Sequence, residues 1–476
     1  MEGWTLLKKI SKWLYHLFHR KYTPAQTIVL GFASLILLGT FLLMLPISCA
    51  DRHFTGFLTA LFTATSATCV TGLSVVTTAS YWSVFGQIVL LFLIQIGGLG
   101  FMSMAIFASL LIRRTVTPRE HTLVAESLGT GTSDGAATSF MALIVGGTLL
   151  VELLGAALLS IRFIPEFGAK KGIYYAVFHA ISSFCNAGFD ILGDTSLIPY
   201  AGDPLVLLTL SFLIIIGGVG FAVWADVIAY LTAGGRRARL SKVLQAVVGR
   251  RDRLSVYTRF VLLISLFLLV LGTILTAVLE WNSALSGMSI GQKWLDSFFH
   301  SVSLRTAGFA VFDNSTLSDT GKGISICFML VGGASGSTAG GLKVSTVAIL
   351  FYAAWKIAMG NNEIILFRRK ISKQLILRAM TLVLIGLFFV CVFAMLLCMT
   401  GGFSPLDCLY EAASAYATVG LSSFDNGLLN PFGRMLVILL MFMGRVGILT
   451  IIYSFVMKSA QKNALIDYPE TTFLIG

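Results

Sequence analysis

Hydrophobic positions in this chain fall in long unbroken runs, not in the short alternations of a soluble domain. Crossing a bilayer as a helix takes about 20 apolar residues. Runs of that order lie at roughly 27–48, 82–112, 137–161, 202–232, 256–280, 320–358, 374–399 and 431–458, which predicts eight spans. Every second connection, at 49–81, 162–201, 281–319 and 400–430, holds a further apolar stretch too short to cross and ending near a glycine. These stretches read FLTALFTATSATCVTGL, YYAVFHAISSFCNAGF, WLDSFFHSVSLRTAGF and PLDCLYEAASAYATVGL. Segments of this kind are candidates for re-entrant helices, since irregular backbone at membrane depth is tolerated only when buried in protein or lining water.

Composition narrows the class. Of 476 residues, 56% are apolar and 12% charged, about half the ~25% charged content of soluble domains. That excludes a disordered chain and leaves too few charges to cover a soluble enzyme. The 34 Lys+Arg against 22 Asp+Glu give a net +12, which could suggest nucleic acid, but the positions of the charges argue otherwise. Residues 1–26 and the connections at 113–136, 232–255 and 353–378 carry five, three, seven and six Lys/Arg, and the alternate connections carry one, three, two and none. This is positive-inside bias: both termini are expected in the cytoplasm, with no nucleic-acid partner. Residues 1–26 lack an uninterrupted apolar core and a small-residue cleavage site, so no cleavable signal is expected. Trp4, Leu6, Leu7, Trp13, Leu14, Leu17 and Phe18 interleave there with Lys8, Lys9 and Lys12, the pattern of a cytoplasmic amphipathic helix on the membrane surface; a frayed basic tail fits as well. The seven cysteines show no CxxC and no His cluster, so they read as small buried hydrophobes.

The chain repeats itself. Gly72, Gly188, Gly308 and Gly420 are spaced by 116, 120 and 112 residues. Ten residues before each stands an aromatic (Phe62, Phe178, Phe298, Tyr410), five before a small residue (Ala67, Ser183, Ser303, Ala415), and one after a large apolar residue (Leu73, Phe189, Phe309, Leu421). A second anchor follows: IGGLG at 96–100, IGGVG at 216–220, VGGASG at 331–336 and MGRVG at 443–447, its first glycine 25, 29, 24 and 24 residues after the first anchor. Two anchors in register four times predict an all-α polytopic membrane protein of four parallel span–re-entrant helix–turn–span repeats. The expected units are 27–118, 119–240, 241–362 and 363–458, flanked by the N-terminus 1–26 and a cytoplasmic tail 459–476. Parallel copies can surround one axis, as a pore of pseudo-fourfold symmetry.

The residues entering the glycines are Cys69, Val70 and Thr71; Cys185, Asn186 and Ala187; Arg305, Thr306 and Ala307; and Ala417, Thr418 and Val419. They share no side-chain ligand, so whatever the turns do in common falls to the main chain. Rings of carbonyl oxygens replace the hydration shell of a monovalent cation, and glycine permits the backbone conformation that turns consecutive carbonyls inward. The C-terminal ends of the preceding helices favour a cation. Divalent ions usually recruit carboxylates, and none lies within the turns. Asp190, Asp194, Asp313 and Asp425 follow just outside, either concentrating cations at the mouth or acting as solvated loop acids. Arg305 is expected to brace its turn from behind.

The stretch Gly332, Gly333, Ala334, Ser335, Gly336, Ser337, Thr338, Ala339, Gly340, Gly341 has no large side chain. Glycine at this density breaks a helix, and the segment cannot face lipid. It reads as a movable gate in the third second-span, its hydroxyls making local hydrogen bonds; a passive packing kink is the alternative. Arg445, in the equivalent stretch of the fourth repeat, is a lone cation at mid-membrane, costly and normally functional. It either pins loop carbonyls or forms an electrostatic barrier, with Lys343 contributing at the loop's end. Glu152 lies within a first span and needs a partner or a proton.

The four turns, SLRTAGF and above all GGASGSTAGGLK resemble the Trk/Ktr/HKT superfamily of potassium transporters over nearly the whole chain, and the eight-span length and the tail Asp467-Tyr468-Pro469-Glu470 resemble its KtrB branch. The resemblance implies potassium uptake across the inner (plasma) membrane, with K⁺ held by filter carbonyls of the turns. It also implies a gate loop with the arginine set against it, a homodimer, and a cytosolic KtrA/TrkA-type nucleotide-binding ring. Glycine in all four turns implies potassium selectivity, serine in the first accompanying sodium permeation in that family; sodium coupling fits the Ktr branch but cannot be read from the residues. No turn reads TVGYG, so fewer ordered ion sites than in a potassium channel are expected. The chain has neither GxxxxGK[ST] nor a strand-placed GxGxxG, so nucleotide control falls to the partner, for which the basic stretch 236–253 is a docking candidate. A secondary transporter of a small solute usually shows inverted repeats, and a membrane-embedded enzyme would need clustered His, Asp, Glu or Cys at membrane depth; an enzyme is not expected.

Overall fold

A computed structural model of the chain describes residues 22–100, 136–233, 254–361 and 363–456. The amphipathic N-terminal segment, most of the connection at 113–136, the basic stretch 236–253 and the tail 459–476 lie outside the described residues.

Fourteen helices of nine or more residues are described: α1 Pro24–Met44, α2 Phe57–Cys69, α3 Val84–Leu99, α4 Ala136–Phe184, α5 Pro204–Val219, α6 Phe221–Ala233, α7 Val256–Leu279, α8 Ile290–Ser303, α9 Asp319–Met329, α10 Val344–Ala358, α11 Lys373–Gly401, α12 Pro405–Ala417, α13 Pro431–Val446 and α14 Ile448–Val456. Their starts are written locally. Thr23, Ser83, Asp203, Ser255, Ser289, Ser318, Ser372, Ser404 and Asn430 each accept a hydrogen bond from a backbone N–H of the first turn, satisfying donors that have no partner within the helix. Pro24, Pro204, Pro405 and Pro431 occupy the first helical position, where a missing N–H costs nothing.

The first helices match the apolar runs, but α4 continues past its expected end at 161 to Phe184, turning at Gly168 (φ 77°) into the stretch expected to be re-entrant. The second spans differ more. The sequence breaks only the third of them. The structure interrupts that one between Met329 and Val344, and also bends α5 against α6 by 97° and α13 against α14 by 90°. Gly100, at the end of α3, has the same backbone conformation as the two bend glycines, with φ 85° beside 99° at Gly220 and 88° at Gly447. A right-handed helix cannot continue through positive φ, and glycine enters it without a steric penalty. Hydrophobicity runs straight through these bends, so apolar run length does not reveal them. The all-α expectation also needs correction: Ile365–Leu366 pairs antiparallel with Arg369–Lys370. Phe367 and Arg368 make the two-residue turn at positive φ, the geometry that matches strand twist.

The helices pack in a closed circuit. α1 lies on α2, α4 on α5, α7 on α8 and α11 on α12. Across segments, α3 packs on α4, α5 on α8, α9 on α12, and α13 returns to α2. Burial follows: Phe62 to Cys69 of α2 and Tyr410 to Ala417 of α12 are buried throughout. Uncovered rows such as Leu149, Leu150, Leu153 and Leu154 on α4, or Leu263, Leu266, Phe267 and Val270 on α7, are wholly apolar. An outside that is apolar and an inside that carries the polar residues is the arrangement a bilayer selects. Four described helices are long and apolar enough to cross a membrane, six when each bent pair is taken as one span.

Candidate functional site

The short helices α2, α8 and α12 and the end of α4 all deliver the chain into turns of one conformation. Two residues before each glycine the backbone is left-handed: Val70 (φ 58°), Asn186 (59°), Thr306 (74°) and Thr418 (53°). The glycines follow at φ 97° (Gly72), 70° (Gly188), 77° (Gly308) and 94° (Gly420). In three turns the residue before the glycine bonds back to a serine carbonyl, Thr71 to Ser66, Ala187 to Ser182 and Val419 to Ser414, at 2.7–2.8 Å. The third winds one residue tighter, Ala307 bonding to Ser303 at 2.9 Å. The same serines pin the far side. Ser66 and Ser414 hydroxyls accept from the N–H of Gly72 and Gly420, while Ser182 and Ser303 donate to the carbonyls of Phe189 and Phe309. Leu73, Phe189, Phe309 and Leu421 are then buried to within 1%, clamping each turn from outside.

The turns meet. A methyl built on Gly72 would lie 2.6 Å from the carbonyl oxygen of Ala187, on Gly188 2.8 Å from that of Ala307, and on Gly308 2.6 Å from that of Val419. On Gly420 it would run into the carbonyl oxygen of Thr71, closing the circle. Each glycine therefore faces the carbonyl that precedes the next glycine, and the four have no room for a side chain.

On one side of this ring lies a cavity of about 550 Å³ lined by all four glycines and by Asp190, Asp194, Asp313 and Asp425. Asp313 and Asp425 also accept the N–H of Ser315 (2.9 Å) and Gly427 (2.8 Å), so they shape local turns while adding negative charge to the cavity.

On the other side sits the glycine-rich loop. Gly332 N–H bonds to Leu342 O (2.8 Å), Val344 to Gly333 O (3.0 Å), Ala334 to Gly218 O (2.9 Å), and Gly336 O accepts from Phe221 (2.9 Å). Gly340 abuts the Thr418 side chain and Gly341 the backbone of Ala417, so the loop presses on the fourth turn. Ser337 bonds locally to Ala334 O (2.7 Å), and Ser335 O faces the Tyr257 hydroxyl (3.5 Å). Thr338 does not bond locally: its hydroxyl donates to Phe184 O at 3.1 Å and lies 3.3 Å from the Asn186 amide. The Arg445 guanidinium donates to Thr338 O in the loop and to Gly97 O and Gly98 O at the end of α3. Lys343 folds back on the loop, donating to Ala339 O (2.8 Å). A cavity of about 280 Å³ adjoins the loop and contains Lys343, Arg445 and Gly447 in its wall.

The glycines of the second anchor act by contact. Gly97, Gly217 and Gly444 lie so close to the carbonyls of Thr68, Phe184 and Tyr416 that a methyl on any of them would overlap the oxygen. Each carbonyl belongs to the residue four before a ring glycine.

Arg305 points away from the ring, its guanidinium donating to Ser265 of α7 at 3.1 Å. Glu152 finds its partner in Gln95 of α3, whose amide nitrogen lies 3.1 and 3.3 Å from the two carboxylate oxygens, while the Cys185 thiol lies 3.7 Å from the Gln95 oxygen. His179 engages Tyr175 O at 2.7 Å with one ring nitrogen and the Ile191 N–H at 3.5 Å with the other. The His300 ring lies tilted against Phe312, centroids 4.8 Å apart. No group of three or more His, Cys, Asp or Glu suited to a metal occurs among the described residues. The serines six before the glycine (Ser66, Ser182, Ser414) are not among the expected site residues, though the register of the turns contains them. Nor are Gln95 and the buried Glu411, which accepts from Ser422 at 2.6 Å.

Comparison with known proteins agrees with this architecture. A family model described as a cation transport protein, TrkH, matches residues 4–465. The potassium/sodium uptake protein NtpJ of Enterococcus hirae is 36% identical over 462 residues, 96% of this chain and 98% of that protein. The Ktr system potassium uptake protein B of Bacillus subtilis is 35% identical over 98% of this chain and 99% of its own length; that of Vibrio alginolyticus is 34% identical, covering 95% and 94%. The crystal structure of the potassium transporter TrkH from Vibrio parahaemolyticus superposes with a TM-score of 0.70 at 18% identity, over 92% of this chain and 86% of that one. Family and helices together make this a multi-pass membrane protein and a transporter, not an enzyme, and the chain belongs to the TrkH family of cation transport proteins.

Proposed function

We propose that the chain takes up potassium across the plasma membrane, selecting it with the main-chain carbonyls of the four turns. One observation carries the reading: glycine to carbonyl, each turn abuts the next until the fourth meets the first. Four peptide oxygens held in a circle by a shared backbone conformation replace water around a monovalent cation without any side-chain ligand. In this reading the four segments are parallel repeats about a pseudo-fourfold axis. The acidic cavity is the outer mouth, where Asp190, Asp194, Asp313 and Asp425 raise the local cation concentration. The loop 332–341 is the gate, held shut by Arg445 and closed at its end by Lys343. The backbone of residues 69–72, 185–188, 305–308 and 417–420 forms the filter, with Arg305 bracing from behind.

The relatives named for potassium, or for potassium and sodium, support K⁺ as cargo and keep Na⁺ as a second ion. A homodimer and a cytosolic nucleotide-binding ring of the KtrA/TrkA type belong to this proposal through the family, as do cytoplasmic termini through the charge bias. The test is growth of a cell lacking its own potassium uptake systems. Expression with the regulator is expected to restore growth at micromolar-to-millimolar potassium. No rescue by correctly inserted protein contradicts the reading.

A further inference from the structure

Between the loop and the second turn the side-chain link is Thr338 and Asn186. Thr338 is fully buried, and all three of its polar groups reach different elements. Its N–H bonds to Gly217 O on α5 (3.3 Å), its carbonyl accepts from Arg445, and its hydroxyl donates to Phe184 O at 3.1 Å. Beyond the hydroxyl stands the Asn186 side chain, also fully buried. With its NH₂ toward Thr338 Oγ1 (3.3 Å) and Ile214 O (3.2 Å), the amide turns its oxygen to the Thr306 hydroxyl (3.3 Å), leaving no polar atom without a partner. A single amide thus spans from the loop to the left-handed residue of the third turn, while its own backbone is the left-handed residue of the second. Val70, at the same place in the first turn, has no side chain that could do this.

We propose that Thr338 is a positioning residue that couples the loop to ion selection through Asn186. The inference rests on reading the turns as a filter and the loop as a gate. When the loop leaves, the Thr338 hydroxyl leaves with it. The Phe184 carbonyl then loses its hydroxyl donor, and the Asn186 NH₂ loses the Thr338 oxygen and keeps the carbonyls of Phe184, Ser183 and Ile214, so the amide is drawn to the second turn alone. The amide loses its hold on the loop side, and the second and third turns grip the ion less: selection takes place while the loop is seated, and release follows its departure. The coupling is reciprocal by linkage: an ion that fits the ring holds the amide in place and favours the seated loop, and one that fits poorly does not.

The test measures K⁺ and Na⁺ flux separately, with the full-length protein in liposomes. Thr338→Val removes the hydroxyl at nearly constant volume. It is expected to raise flux and to lower the K⁺-over-Na⁺ ratio by about fivefold, whereas Thr338→Ser keeps the wild-type ratio. Thr306→Val frees the far end of the amide without touching the loop, and is expected to raise flux and lower the ratio as well. The two valine variants combined shift the ratio by less than the product of the single effects. Higher flux through Thr338→Val at an unchanged ratio overturns the coupling, as do independent, multiplying effects. Should Thr338→Val fail to fold, Thr306→Val decides: unaltered flux overturns the proposal. A wild-type protein that prefers neither ion contradicts the filter reading itself, an outcome distinct from a selective wild type whose variants change flux alone.

Discussion

Gly72 shows how much one residue decides. At φ 97° it occupies a conformation that L side chains rarely adopt, and its missing side chain is the space in which the Ala187 carbonyl sits. Serine there brings both backbone strain and a Cβ 2.6 Å from that oxygen, and the contact is with backbone, which has no rotamer to yield. The neighbouring carbonyl must move. Gly72→Ser is therefore expected to lower the K⁺-over-Na⁺ flux ratio by about tenfold, equivalent to ~1.4 kcal/mol. An unchanged ratio would remove the first turn from the filter. Such residues were legible in the sequence because they recur: the four glycines stand out by spacing, and their lack of a common side chain already directs attention to the main chain. Gln95 was not legible, because nothing in a linear pattern says that a glutamine on one span will meet Glu152 on another.

Among elements, the second spans carry the difference between a bundle of straight helices and this fold. Gly220 turns the chain by 97° between α5 and α6. A methyl there would lie 3.0 Å from Ser335 O and 3.2 Å from Ala334 Cβ, so the bend and the glycine-rich loop share one surface. Gly220→Ala is expected to cost about 1–3 kcal/mol through positive-φ strain, seen as a lower unfolding midpoint in detergent. Gly323, inside α9 with nothing within 4 Å of a built methyl, is the contrast: Gly323→Ala is expected to be neutral or to stabilise by up to about 1 kcal/mol. Equal losses at both positions would contradict the assignment of the bend to Gly220. The second anchor was visible as a motif, yet its consequence was not. The flanking residues stay apolar, and hydropathy reports what a segment can be buried in, not which way it runs. Only the third segment, where glycines and hydroxyls replace every large side chain, announced its break.

At the scale of the whole molecule, what matters is closure. α3 packs on α4, α5 on α8, α9 on α12, and α13 returns to α2, and the glycines repeat that circuit at atomic distance. The apolar rows facing outward were legible from the long hydrophobic runs, and two anchors in register marked four corresponding turns. Which segment neighbours which depends on contacts across more than a hundred residues and had no local signature, whereas the acids after the glycines, one of whose expected roles was at a mouth, do line one cavity. A structure of the protein with Rb⁺ or Tl⁺ as a potassium substitute, phased for anomalous scattering, tests the closure most directly. A peak is expected on the axis of the circle, in coordination distance of the carbonyl oxygens of Thr71, Ala187, Ala307 and Val419. Density confined to the acidic cavity, or absent from the centre of the four turns, would contradict it.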